Sequence, residues 1–256
     1  MEKERTRKAE IAYRFRRSVE SYDENAIVQK LIVEQLADLV GLYVTSYPQR
    51  ILEIGCGTGL LTEKIAALFP EKSLFINDLV KDMCGKTAGK CKIPTAHCLV
   101  GDIEVMDLPT YLDLIVSSST FQWLVHPKMT YKKLADGLID GGWLVFSSFG
   151  EHNFEELKQL TGKGLVYQPL QEISKHLSAY FEIVYAGETL HRLHFRNPME
   201  ILQHIKKTGV NATASSQIWT REHLKRFSFE YTARFGCEEG LPLTYHPLYL
   251  VCRKKL

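Results

Sequence analysis

No apolar run in this 256-residue chain approaches the roughly 20 residues that a membrane-spanning helix needs. The first residues, Met-Glu-Lys-Glu-Arg-Thr-Arg-Lys, lack the apolar stretch of a secretory signal, and Glu2, Glu4 and Glu10 do not suit an acid-poor transit peptide. No membrane contact is expected, and a cytoplasmic location is. Cysteines 56, 84, 91, 98, 237 and 252 then read as reduced thiols. There is no CxxC pair, and Cys84, Cys91 and Cys98 are spaced more widely than zinc ligands usually are. His191 and His194 lie three apart in a strand-like stretch and should face opposite ways. No metal is expected. Charge of one sign is lacking too. There are 32 Lys and Arg against 30 Asp and Glu, so the whole chain is not a polyelectrolyte binder.

What is present fits an ordinary globular protein: 45% apolar residues and 24% charged. A chain of this length can bury about 70–75% of its unfolded surface and needs no disulfide or structural metal. One elaborated α/β domain is the expectation. Val28, Ile32, Leu36, Leu39 and Tyr43 fall on one stripe and predict a helix over 23–43, with Asp23 as its cap. Apolar runs of strand length at 50–54, 73–77, 96–100, 112–117 and 142–148 alternate with helical stretches at 60–69, 79–90 and 128–139. That rhythm predicts βαβ units and a mostly parallel sheet, whose strands read as continuous apolar runs. Beyond residue 150 the pattern predicts helices at 153–161, 169–179, 198–208 and 220–234, a long strand from Phe181 to Phe195, and a final strand over 243–252. Pro247 in that last run suggests an edge position or a bulge.

The most informative stretch is 51–62, Ile-Leu-Glu-Ile-Gly-Cys-Gly-Thr-Gly-Leu-Leu-Thr. It passes from a buried strand through a tight turn into a helix. Gly55, Gly57 and Gly59 allow the turn and a close ligand approach, and the following helix offers unpaired N–H groups. A dinucleotide fingerprint would need glycine where Leu60 stands, and a P-loop would need a Lys that is absent. A ligand without pyrophosphate fits better. Asp78 closes the second strand, nineteen residues after Gly59, where a carboxylate can accept both ribose hydroxyls.

Glu53 followed by GxGxG resembles motif I of class I S-adenosylmethionine-dependent methyltransferases. Gly101-Asp102-Ile103 resembles their adenine site. The likeness narrows elsewhere. The stretches 15–26 (Phe-Arg-Arg-Ser-Val-Glu-Ser-Tyr-Asp-Glu-Asn-Ala), 101–104, 113–123 ending in Gln122-Trp123, 204–212 and 241–246 resemble the malonyl-[acyl-carrier protein] O-methyltransferases of biotin synthesis. Family members often carry Asn where this chain has Ser118 or Ser119. The resemblance implies a Rossmann-like class I fold, a seven-stranded mostly parallel sheet flanked by helices, with a helical insertion or lid near the acceptor site. It divides the single domain 1–256 into N-terminal helices (1–45), a cofactor-binding core (46–150), a substrate-shaping insertion (151–235) and a final strand (236–256). It implies S-adenosyl-L-methionine held by Glu53, Gly55, Gly57, Gly59, Asp78, Leu79, Asp102, Ile103 and Ser117, with Tyr22 and Gln122 positioning the acceptor and Trp123 beside them.

The implied reaction methylates the free carboxylate of a malonyl thioester. A carboxylate is ionised at pH 7, so no general base is required. Residues 192–226 carry a local excess of five positive charges and the first 17 residues an excess of four. Two basic patches on a near-neutral chain suit an acidic protein such as an acyl carrier protein, with Arg196, Lys206 and Lys207 as contacts. The patches lack the interleaved aromatics of single-strand nucleic-acid binders, so no nucleic acid is expected. The other readings are a methyltransferase for a free small carboxylic acid or a quinone precursor, and a catalytically silent cofactor-binding protein. A monomer is expected.

Overall fold

The computed structural model describes residues 2–70, 72–162, 164–208 and 220–256. The chain begins with three helices, α1 (Glu2–Ser18), α2 (Tyr22–Asn25) and α3 (Ile27–Tyr43). The alternating region follows as β1 (Arg50–Ile54), α4 (Leu60–Leu68), β2 (Ser73–Asp78), α5 (Lys81–Cys91), β3 (Cys98–Val100), β4 (Leu112–Ser117), α6 (Pro127–Gly137) and β5 (Leu138–Phe149). The remainder is α7 (Glu155–Thr161), α8 (Leu170–Leu177), β6 (Phe181–Glu188), β7 (His191–Phe195), α9 (Pro198–Lys207), α10 (Arg221–Phe235), β8 (Leu241–Tyr245) and β9 (Pro247–Lys254).

Seven strands form one sheet in the order β3-β2-β1-β4-β5-β9-β6. β1 to β5 pair in parallel, and β9 runs antiparallel between β5 and β6. The strands are apolar on both faces because both are covered. Ile51, Leu114, Val116 and Val145 pack with Ile32, Leu36 and Ile65 on one side. Leu52, Ile54, Ile115 and Phe146 pack with Tyr131, Leu134 and Leu177 on the other. The strand order reverses at β1, between β2 and β4, and a sheet of this kind binds ligands at the carboxyl ends of such a switch point.

Several expectations are corrected. The helix predicted over 23–43 is two helices broken at Ala26, and Asp23 caps neither. It lies inside α2, where its carboxylate accepts from Thr58 Oγ1 at 2.5 Å. The strand predicted from Phe181 to Phe195 is two strands in different sheets. β6 belongs to the main sheet, while β7 pairs with β8 in a separate antiparallel ribbon. The final run divides likewise at His246 into β8 and β9. Pro247 therefore sits neither at a sheet edge nor at a bulge. It is the first residue of an interior strand, opposite Phe149, a position that tolerates its missing N–H. Between β6 and β9, the ribbon, α9 and α10 build a cap beside the sheet. A buried contact anchors it, where Glu156 of α7 accepts from the amide and hydroxyl of Thr244 at 3.0 and 2.6 Å, and within it Tyr231 Oη donates to Pro242 O at 2.6 Å.

Candidate functional site

The glycine turn joins β1 to α4. Gly55 and Cys56 donate their amides to Asn77 O at 2.8 and 2.9 Å, which locks the turn onto the end of β2. Gly55, Gly57 and Gly59 have φ of +72°, +52° and +90°, the left-handed region that favours glycine. Their surroundings differ. A Cβ on Gly55 would lie 2.0 Å from Thr120 Oγ1, and one on Gly59 would press on Thr87 at 3.2 Å. A Cβ on Gly57 would meet nothing within 4 Å and would project into open space. Packing accounts for the first and third glycines, and room for a ligand for the second.

That open space belongs to a cavity of about 120 Å³. Gly55, Gly57, Asp78, Leu79, Asp102 and Ile103 line it from the core, Tyr22, Phe15 and Lys8 from the amino-terminal helices, and Ser119 and Trp123 from beyond β4. Asp78 accepts from the Gly57 and Val80 amides at 2.9 and 2.8 Å, although burial raises its pKa above the ordinary value. Glu53 lies behind the turn and is 1% exposed. Its Oε2 has no hydrogen-bond partner, and burial pushes its pKa up to about 8. A buried carboxyl with an unused oxygen is suited to receive a cationic or N–H-bearing group.

The amino-terminal helices form a strap over this cavity. Lys8 reaches Asp102 at 3.1 Å and Glu104 at 2.6 Å, Phe15 meets Trp123 edge-on at 5.7 Å, and Arg16 pairs with Asp82 at 2.7 Å. Burial works to raise the Glu104 pKa, but Lys8 and the amides of Val125 and His126 outweigh it, and the net shift is downward. At the end of the strap the Tyr22 phenol is held well above its usual range, first by burial and then by Asp23 and Asp78.

Some expected residues stand apart. Ser117 does not reach the cavity: it is fully buried and donates to Ile54 O at 2.8 Å, so Ser118, Ser119 and Thr120 line the wall instead. Ser119 has φ +53° and an unpartnered Oγ, a strained backbone at the edge of a site. Gln122 faces a neighbouring cavity of about 580 Å³ together with Arg7, Ser148 and Tyr167, and its Nε2 donates to Ser119 O at 2.5 Å. Leu124 lines both spaces. Arg196 is paired with Glu200, from its guanidinium at 2.7 Å and from its amide at 3.1 Å, so the two together carry no net charge. Lys206 and Lys207 are exposed at the end of α9, and residues 209–212 of the resembling stretch lie outside the described residues. Sequence reasoning missed Lys8, whose role depends on a contact across 94 residues, and Asp23, whose partner is 35 residues away.

A family of methyltransferase domains matches residues 51–142. The malonyl-[acyl-carrier protein] O-methyltransferase of Acinetobacter baylyi is 38% identical over 251 residues, covering 96% of this chain and 97% of that protein. The protein of the same name from Bacteroides fragilis is 36% identical over 250 residues and 96% of this chain, yet the chain spans only 50% of that relative's length. Among solved structures, a Bacillus halodurans protein assigned as a methyltransferase superimposes with a TM-score of 0.65 at 15% identity, covering 87% of this chain and 100% of that one. The N-methyltransferase NodS of Bradyrhizobium japonicum, in complex with S-adenosyl-L-homocysteine, gives 0.51 at 17% identity, with 87% and 85% covered. At those identities the likeness is one of fold.

The sheet order, the glycine turn at its switch point and the matching domain family define a class I S-adenosylmethionine-dependent methyltransferase. Within that class, the near full-length relatives decide the family: the chain belongs to the malonyl-[acyl-carrier protein] O-methyltransferases.

Proposed function

We propose that the protein esterifies the free carboxylate of a malonyl group borne on an acyl carrier protein. When bound, S-adenosyl-L-methionine supplies an electrophilic methyl group on a sulfonium. The cavity suits it: Gly57 leaves room for the backbone to approach, Asp78 can accept from ribose hydroxyls, and Asp102 can accept an adenine amine beside Ile103. Glu53 offers its unpaired Oε2 to a methionyl amino group through the turn. Ser117 acts only through the backbone it holds. Residues 46–150 serve as the cofactor core, 1–45 as the strap and 151–235 as the substrate-shaping part.

The acceptor oxygen is already ionised, so the protein's task is to orient and dehydrate it. Tyr22 and Ser119 each offer a hydroxyl at the strap end of the cavity, and a phenol held above its usual range stays protonated and can donate. Gln122 braces the Ser119 backbone. Closure by Phe15 and Trp123 excludes water, which favours the joining of an anion and a cation into neutral products. The observation that carries this reading is that Tyr22, Gly57, Asp78, Asp102 and Trp123, far apart in the chain, wall one cavity.

The test uses methyl-labelled S-adenosylmethionine and malonyl-carrier protein, with succinyl-carrier and free malonate as controls. A base-labile label on malonyl-carrier alone is the expected result. Label on free malonate would instead favour an enzyme for small acids.

A further inference from the structure

The strap does more than cover the cavity. Its turn between α1 and α2 is clasped from both sides by elements that carry exposed cations. On one side Lys86 of α5 donates to Val19 O at 3.0 Å. On the other, Ser21 Oγ donates to the backbone carbonyl of Lys207, the last residue of α9, at 3.3 Å. Arg17, Lys86, Lys206 and Lys207 are all exposed, and none has an acidic partner among the described residues. The neighbouring Arg16 is already matched by Asp82. Glu20 and Glu24 are the exposed acids on this turn and on α2. Four unmatched cations against two acids leave the collar positive, and Tyr22, at its centre, lines the cavity.

We propose that this collar is the docking surface for the acyl carrier protein. The inference rests on the reading of the acceptor as a carrier-borne malonyl thioester and adds where the carrier sits. An acidic helix laid across the ends of α1 and α9 would meet charge of the opposite sign and present its thioester arm beside Tyr22. Arg196 takes no part, because Glu200 already occupies it. Docking on the strap also couples partner to site. A carrier bridging α1, α5 and α9 holds the strap closed while the acceptor is in place.

The experiment measures carrier binding by surface plasmon resonance, and kinetics with malonyl-carrier and with malonyl-pantetheine, which bears the same thioester without the protein. The variants are Lys206→Glu with Lys207→Glu, Arg17→Glu, Glu24→Lys and Arg196→Glu, each checked for unchanged S-adenosylmethionine affinity. The collar reversals should weaken carrier binding and raise KM for malonyl-carrier by about tenfold or more, as exposed charge reversals at steered interfaces do. Malonyl-pantetheine kinetics should not move, Glu24→Lys should tighten carrier binding, and Arg196→Glu should stay within about twofold of the parent. If the Lys206/Lys207 reversal binds the carrier as the parent does, or if Arg196→Glu weakens it equally, the collar is not the docking surface. If the parent transfers no methyl to malonyl-carrier at all, it is the acceptor reading that fails.

Discussion

Gly57 and Glu53 show how much a single residue decides here. Gly57→Val would add a branched side chain at φ +52° where the only free direction is the cavity. Strain of about 1–3 kcal/mol is expected from a branched residue held in the left-handed backbone region, and the ligand would have to vacate the same space. Calorimetry should find no S-adenosylmethionine binding to a variant that still folds. Glu53 makes a subtler prediction. With its pKa near 8 the carboxyl is mostly protonated at pH 7, and receiving a cationic amino group requires the proton to leave. Calorimetry at pH 7 in buffers of different ionisation enthalpy should record close to one proton released per cofactor bound, and Glu53→Gln should release none. The same shift bears on stability. A carboxyl whose folded pKa lies above its unfolded value stabilises the fold below that unfolded value, and the contribution fades as pH rises through about 8. Thermal unfolding of Glu53→Gln should therefore decline less than that of the parent between pH 6 and 9. The glycines, Glu53 and Asp78 were legible in the sequence because their spacing after a strand is itself the signal. Ser117 was not, since adjacent serines on a strand end alternate in direction and only the fold shows which one faces the cavity.

Elements bring in partners that local sequence does not reveal. The strap is held by Lys8 on Glu104, a pair with side chains 14% and 6% exposed, so its worth exceeds that of a surface ion pair. Lys8→Met should loosen α1 by about 1–3 kcal/mol, the scale of a charged hydrogen bond lost from a buried group. Hydrogen exchange over residues 2–18 should accelerate, and the cofactor Kd should rise while unfolding of the sheet changes little. A second tie joins α9 to β8, where His204 Nε2 lies 2.7 Å from Tyr245 Oη. Burial first, then Lys207, depresses the His204 pKa to about 4. A histidine depressed in the fold contributes stability above its unfolded pKa of 6.5, lost as pH falls towards 4. The unfolding temperature should drop across that window, and His204→Gln should flatten the slope. Between residues 50 and 149 the helices and parallel strands were readable from periodicity to within about four residues of their ends, whereas α1, a basic and mixed stretch, carried no such signal. The breaks at 189–190 and at His246 were not, because each is imposed by which sheet the strand joins, and the break at Ala26 was not, because no glycine or proline marks it.

At the scale of the molecule, one sheet supplies the cofactor end of the site, the amino-terminal helices supply its cover, and the cap from later in the chain braces that cover through Ser21 and Lys207. β9 lies between β5 and β6, so the last described strand completes the sheet, while β8 just before it carries Tyr245 in the cap against the strap side. Residues 15–26 and 241–246 both meet α9: Ser21 Oγ donates to Lys207 O at 3.3 Å, and Tyr245 Oη lies 2.7 Å from His204 Nε2. Sequence alone ranked Arg196 with Lys206 and Lys207 as one patch. The structure separates them, because an i, i+4 acid neutralises the first and the end of a helix exposes the others. The central claim is that this cavity methylates a carboxylate carried by a protein. The most direct measurement is the intact mass of malonyl-carrier protein after incubation with S-adenosylmethionine and either the parent enzyme or Gly57→Val. The account predicts a gain of one methylene unit with the parent and none with the variant. An unchanged mass with a parent that binds S-adenosylmethionine would contradict it.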